Sequence, residues 1–105
     1  MNPVTQEQAL DAYRRAPQVV RDVFNAQSTP RVVIDLQHQY GLHIDQAGVI
    51  GKQLGHLLLG LANPSEFVAN VKAAGVPGGV INAIVGEINH KIFMPLRDEM
   101  RKAGS

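Results

Sequence analysis

Apolar residues along this chain recur at intervals of three and four and almost nowhere at intervals of two, so the pattern predicts helices throughout. Thr5 can cap a first helix, with Gln8 at the capping-box position and Ala9, Leu10 and Tyr13 at helical spacing behind it. Pro17 starts a second piece, whose apolar side holds Val19, Val20, Val23 and Phe24. Gln27, Ser28 and Thr29 break the pattern. Thr29-Pro30 then reads as an N-cap and a first-turn proline for a helix running to about Tyr40, with Val32, Val33, Leu36 and Tyr40 on one face. Val32-Val33-Ile34 is β-branched, but the polar run Asp35 to Gln39 and the stop at Gly41 favour helix over strand.

From His43 to Met100 the pattern predicts three helices joined by two turns, Asn63-Pro64 and Gly75-Val76-Pro77-Gly78-Gly79. Asp45 is the expected cap of the first, which carries Ala47, Val49, Ile50, Leu54, Leu57, Leu58 and Leu61. A helix apolar over so much of its circumference is normally the most buried one. Asn63 caps the next, with Phe67, Val68 and Val71 facing inward and Gly75 closing it. Pro77 opens the last. There Val80, Ile84, Ile88, Ile92, Leu96 and Met100 recur every fourth residue, and Ile81, Val85 and Phe93 widen the stripe. Pro95 removes a backbone donor and collides with the preceding turn, which predicts a kink or break near Phe93-Met94. The expected fold class is all-α, a compact orthogonal bundle of five or six short helices forming one domain over 1–105. The N-terminal helix, 1–14, is expected to be peripheral, and the C-terminal segment, 96–105, to project.

Length and composition narrow this further. A chain of 105 residues buries one core and no second. With no Trp and only 5% aromatic residues, that core must be aliphatic, with Phe24, Phe67 and Phe93 as its few bulky pieces. Ten basic and nine acidic residues are interspersed and leave a net charge of +1, without the basic cluster of a dedicated nucleic-acid binder. Arg14, Arg15, Arg21 and Arg31 are the cations a folded surface would have to gather. The absence of cysteine excludes disulfides and thiolate chemistry and favours a reducing cytoplasm. No signal-peptide pattern opens the chain, and Leu57 to Ala62 is far too short a run to span a bilayer.

The chemistry-bearing residues do not assemble into a motif. His38, His43, His56 and His90 include no pair four apart on one helix, as a helical zinc site requires. Ser28, Ser65 and Ser105 sit at turns, a helix start or the terminus, and Asp98-Glu99 is the one adjacent carboxylate pair considered for acid-base work. No catalytic residue, metal or cofactor is expected. The glycines carry more information. Gly48, Gly51 and Gly55 each cost about 1 kcal/mol relative to alanine inside a helix, so something should offset them. Ala47, Gly51 and Gly55 stack on one face, where another helix could approach closely, either within the domain or from a partner. Leu96 and Met100 mark the apolar edge of the expected C-terminal projection. The turn Pro77-Gly78-Gly79 faintly resembles the hairpin of helix-hairpin-helix DNA-binding modules. Its second glycine comes one position early, and no lysine follows until Lys91.

Four segments taken together resemble an uncharacterised family of small helical domains found among hypothetical proteins of ultra-small, reduced-genome bacteria of the candidate phyla radiation. They are Pro17-x-x-Val20 with Val23-Phe24, Tyr40 to Gln46, Leu59-Gly60-Leu61-x-x-Pro64-x-x-Phe67-Val68, and Glu87-Ile88-Asn89-x-Lys91-Ile92-Phe93-x-Pro95-Leu96-Arg97. The resemblance covers roughly residues 15 to 102. It implies a helical fold and supplies no activity. The expectation from all of this is a non-catalytic helical protein-protein interaction module, self-associating or bound to another protein through Ala47, Gly51, Gly55, Leu96 and Met100. The alternative is a small nucleic-acid-binding module using Pro77, Gly78 and Gly79.

Overall fold

Thr5 opens α1 (Gln6–Arg15) in the computed structural model, which describes residues 3–103. The Thr5 hydroxyl accepts from the Gln8 amide at 3.1 Å, and the Gln8 side chain accepts from the Thr5 amide at 2.9 Å. This reciprocal pair satisfies two donors that the helix start would otherwise leave orphaned. Pro17 then precedes α2 (Gln18–Asn25). α3 (Ser28–Tyr40) begins earlier than the sequence suggests, with Gln27 rather than Thr29 at the N-cap. The reason is local. Thr29 turns back, its hydroxyl donating to the Val23 carbonyl at 2.7 Å and its amide to the Ala26 carbonyl at 3.2 Å. Gly41 ends α3 in the left-handed region at φ 60°, which glycine adopts without steric cost.

α4 (Ile44–Leu58) is capped at His43, not at Asp45. Gln46 decides the position, because its Oε1 accepts from the His43 amide at 2.9 Å. Asp45 falls instead in the first turn, where its carboxylate meets the positive end of the helix dipole. The Gln46 Nε2 also donates to the Ala74 carbonyl at 3.3 Å, so one side chain joins the start of α4 to the end of α5 (Pro64–Ala73). Asn63 and Glu66 form the cap of α5 with bonds of 2.9 and 3.0 Å, and Gly75 follows it at φ 94°.

Pro77 sits at the N-cap of α6 (Gly78–Ile88). A π-turn over Asn89–Phe93 leads without a loop into α7 (Met94–Ala103). The interruption foreseen at Pro95 takes this form. The Met94 amide reaches back to the Asn89 carbonyl, one residue further than in an α-helix, so the turn before the proline is widened rather than broken. The widening also explains the every-fourth spacing of the stripe. On a regular α-helix such a stripe drifts about 40° per step. The extra residue absorbs that drift, and Ile88, Ile92 and Leu96 all remain buried.

With α6, the π-turn and α7 read as one rod, six helices and no strand make up the described residues, an all-α bundle. α4 is central, packing on α2, α3 and α5, while α6 packs on α3 and α5 and α7 returns to α2. The radius of gyration, 13.6 Å, is close to the ~13 Å typical of a folded domain this long. The core is aliphatic apart from one ring. Ile50, Leu54, Phe67, Val71, Ile81 and Ile84 are all 1% exposed or less. No residue of α1 is buried. Tyr13 leans its ring on Phe24 with centroids 5.4 Å apart and accepts at its hydroxyl from Asn25 Nδ2 at 2.6 Å. Leu96, expected on a projecting edge, is 6% exposed and belongs to the core, because the π-turn rotates it inward; Met100, one turn on, is exposed. Residues 1, 2, 104 and 105 of the two expected terminal segments lie outside the described residues.

Phe67, on α5, is the largest of the fully buried side chains. Phe67→Ala is expected to lower the unfolding free energy by about 3–5 kcal/mol, read as a fall in the urea midpoint at unchanged slope.

Candidate functional site

Of the hollows left on the described surface once the core is packed, two are lined mainly by apolar residues. The larger, about 700 Å³, runs between α3 and α4. Its floor is glycine, because Gly48, Gly51 and Gly55 all line it beside Ala47. A Cβ built on Gly48 or on Gly51 would meet nothing within 4 Å, whereas one on Gly55 would lie 3.3 Å from Phe24 Cε2. The small-residue face read from the sequence therefore divides in two. At Gly55 it admits the Phe24 ring from α2, which is packing within the domain. At Gly48 and Gly51 it opens onto free space. Ile34 on α3 and Ile44 at the start of α4 border the opening and are 51% and 81% exposed. Ala47, Gly51 and Gly55 thus share one groove, and Leu96 and Met100 do not join them.

Lys52 and His56 are the ionisable groups of this groove. Burial first, and the positive charge of Lys52 second, hold the His56 pKa below its ordinary value of 6.5. The imidazole is therefore neutral at neutral pH.

The smaller groove, about 450 Å³, lies where the π-turn passes the end of α4 and the start of α5. Leu57, Phe67, Val85, Ile88 and Phe93 form its walls, and Gly86 opens its floor. Asn89 and Arg97 are its polar members. The Arg97 Nη2 donates to Asn89 Oδ1 at 2.9 Å across eight residues of one rod. On a straight α-helix these two positions would stand about 80° out of line. The π-turn brings them together.

Elsewhere the candidate chemistry stays dispersed. His38, His43 and His90 are exposed on α3, at the cap of α4 and on the π-turn. Among the described residues no three His, Asp or Glu side chains converge as a metal site would need. Ser28 and Ser65 are exposed in first helical turns, and Ser105 lies outside the described residues. Pro77, Gly78 and Gly79 are exposed at the start of α6 with no side-chain cap on the helix, but residues 73 to 86 carry no charge at all. Of Arg14, Arg15, Arg21 and Arg31, Arg15 pairs with Asp11 at 3.2 Å and Arg21 donates to Gln18 at 2.8 Å, each within its own helix. No described helix is long and apolar enough to cross a membrane.

The groove at the π-turn escaped sequence reasoning. Its signals were present in Gly86, a helical glycine with no packing partner, and in the spacing of Asn89 from Arg97. Both become meaningful only when the π-turn is known. No protein-family model matches the chain, and no curated protein or solved structure does either, so the geometry alone carries the functional reading.

Gly48→Ala and Gly51→Ala should each stabilise the isolated domain by about 1 kcal/mol, since the gain in helix propensity meets no collision. Gly55→Ala should gain less or lose, because Phe24 must shift; urea denaturation of the three variants gives the order.

A second expectation concerns pH. Because the folded pKa of His56 lies below the unfolded one, its contribution is intact above 6.5 and is lost as pH falls through 6.5 toward the lowered value. Melting temperatures measured between about pH 7.5 and pH 5 should fall less steeply in His56→Gln than in the parent.

Proposed function

We propose that this protein is a non-catalytic helical interaction module, and that a second copy of the chain docks in the α3–α4 groove. One observation carries the reading. Gly48 and Gly51 interrupt the most buried helix of the domain, and nothing inside the domain occupies the space they leave. Each glycine costs stability that alanine would restore. Small residues on a helix face permit close approach of another helix, and here that face is bordered by exposed Ile34 and Ile44.

Self-association is favoured over a foreign partner because the face is self-complementary. It presents both the hollow and the projecting side chains needed to fill it, which is what a two-fold interface requires. Each projecting isoleucine is followed by an aspartate, Asp35 and Asp45, while Lys52 lines the hollow. A two-fold axis through the groove offers these charges opposite partners.

Light scattering across a hundredfold range of concentration should therefore give a dimer mass at the upper end. Gly48→Leu with Gly51→Leu should weaken association by at least about tenfold while circular dichroism shows undiminished helicity. A monomer at every concentration, or a dimer indifferent to both leucines, would sink the reading.

A further inference from the structure

The groove at the π-turn has a composition that the α3–α4 groove lacks. Its walls are aliphatic and aromatic, and among its lining residues Arg97 is the single ionisable group. Apart from Arg97 and its hydrogen-bond partner Asn89, nothing polar at the side-chain level lines it. We propose that this groove is a binding site for a small carboxylate with an apolar chain or ring, its tail lying over Gly86 and its carboxylate on the Arg97 guanidinium. This site is independent of the self-association surface and uses none of its residues.

Three observations support the assignment. First, the cavity of about 450 Å³ falls within the range of small-molecule sites, which are largely apolar with a few fixed polar groups. Second, Gly86 lies in the last turn of α6, inside the continuous rod, where a Cβ would meet nothing within 4 Å. A helical glycine costs about 1 kcal/mol relative to alanine, and no packing inside the domain explains it. The open space above it is the floor on which an apolar tail rests. Third, the π-turn places Asn89 in line with Arg97, and Asn89 Oδ1 holds Nη2 at 2.9 Å. That bond fixes one edge of the guanidinium. The remaining N–H groups keep the fork that suits a carboxylate, and no ion pair to Asp or Glu involves Arg97 among the described residues.

The charge balance decides the ligand class. A lone cation at the mouth of an apolar cavity offers nothing to a cationic ligand and little to a fully polar one. An amphiphilic anion satisfies the arginine and the walls together. Because arginine does not titrate in the accessible range, binding should persist down to the pH at which the ligand's own carboxyl takes up a proton.

The test uses the full chain, uniformly labelled with nitrogen-15, titrated with sodium octanoate and in parallel with 1-octanol. Octanoate should produce saturable amide shifts confined to residues 85–97 and the start of α5. Arg97→Gln should weaken octanoate by about tenfold, the loss of a charge-assisted hydrogen-bond pair, while changing octanol by less than about twofold. Gly86→Leu should abolish both, with helicity retained because the new side chain enters empty space. The assignment is overturned if octanoate moves none of these amides up to about 10 mM. It is equally overturned if Arg97→Gln weakens both probes alike, or if Gly86→Leu folds and still binds octanoate. A pentapeptide ending in a free leucine carboxylate that binds more than tenfold tighter than octanoate would also overturn the small-molecule assignment.

Discussion

Burial of Ile50, Leu54 and Leu58 along α4 is the contact that the other elements depend on. A domain of this size has one core and no disulfide to supplement it. Its stability therefore rests on how completely a single central stripe is covered. Phe67 and Val71 of α5, Val33 and Leu36 of α3, and Ile81 and Ile84 of α6 join it in one buried cluster. The polar side chains that approach this centre are arranged so as not to weaken it. Gln53, 8% exposed on α4, accepts at its side-chain oxygen from Asn70 Nδ2 at 3.0 Å. A buried amide left without such a partner would offset much of what a neighbouring leucine contributes.

Once that stripe is satisfied, the surplus features stand out. A helix selected only for stability would not carry Gly48, Gly51 and Gly86 where no neighbour needs the space. The two grooves share this origin, yet they differ in electrostatic character. Beside one, an aspartate follows each exposed isoleucine in the chain and Lys52 lines the hollow. In the other, one guanidinium faces hydrocarbon. That difference is why we propose a second copy of the chain for the first and a small anion for the second.

Much of this fold was legible in the residues, because capping and turn chemistry act over three or four positions. Thr5 with Gln8, Asn63 before Pro64, Gly41 and Gly75 are all read correctly from local rules. The misplacements have non-local or competing causes. Thr29 was assigned to the cap of α3, but its hydroxyl finds the Val23 carbonyl six residues back. Asp45 was preferred to His43 on cap propensity, but Gln46 is bound both to the His43 amide and to α5, and that tie sets the start of the helix. Pro95 announced an interruption without revealing that a widened turn would absorb it. Leu96 was misread for the same reason, since a regular helix and a helix with one extra residue per turn present different faces beyond the interruption. The Ala47–Gly51–Gly55 face was visible as spacing, while its division between Phe24 and open space needed coordinates. The groove at the π-turn depends on phase along a rod, which no local pattern encodes.

That phase has a consequence for how the chain tolerates change in length. The π-turn is in effect one residue inserted into an α-helix. If 89–93 wound as a regular α-helix with every residue kept, every later side chain would swing by about 100°. Leu96 would leave the core, and Arg97 would lose its alignment with Asn89. Removing one exposed residue of the turn, His90 or Lys91, would compensate for lost widening, because seven regular residues turn about 700° and bring Arg97 back to within about 20° of Asn89. The segment thus tolerates a deletion that closes the π-turn, but not regular winding at its present length.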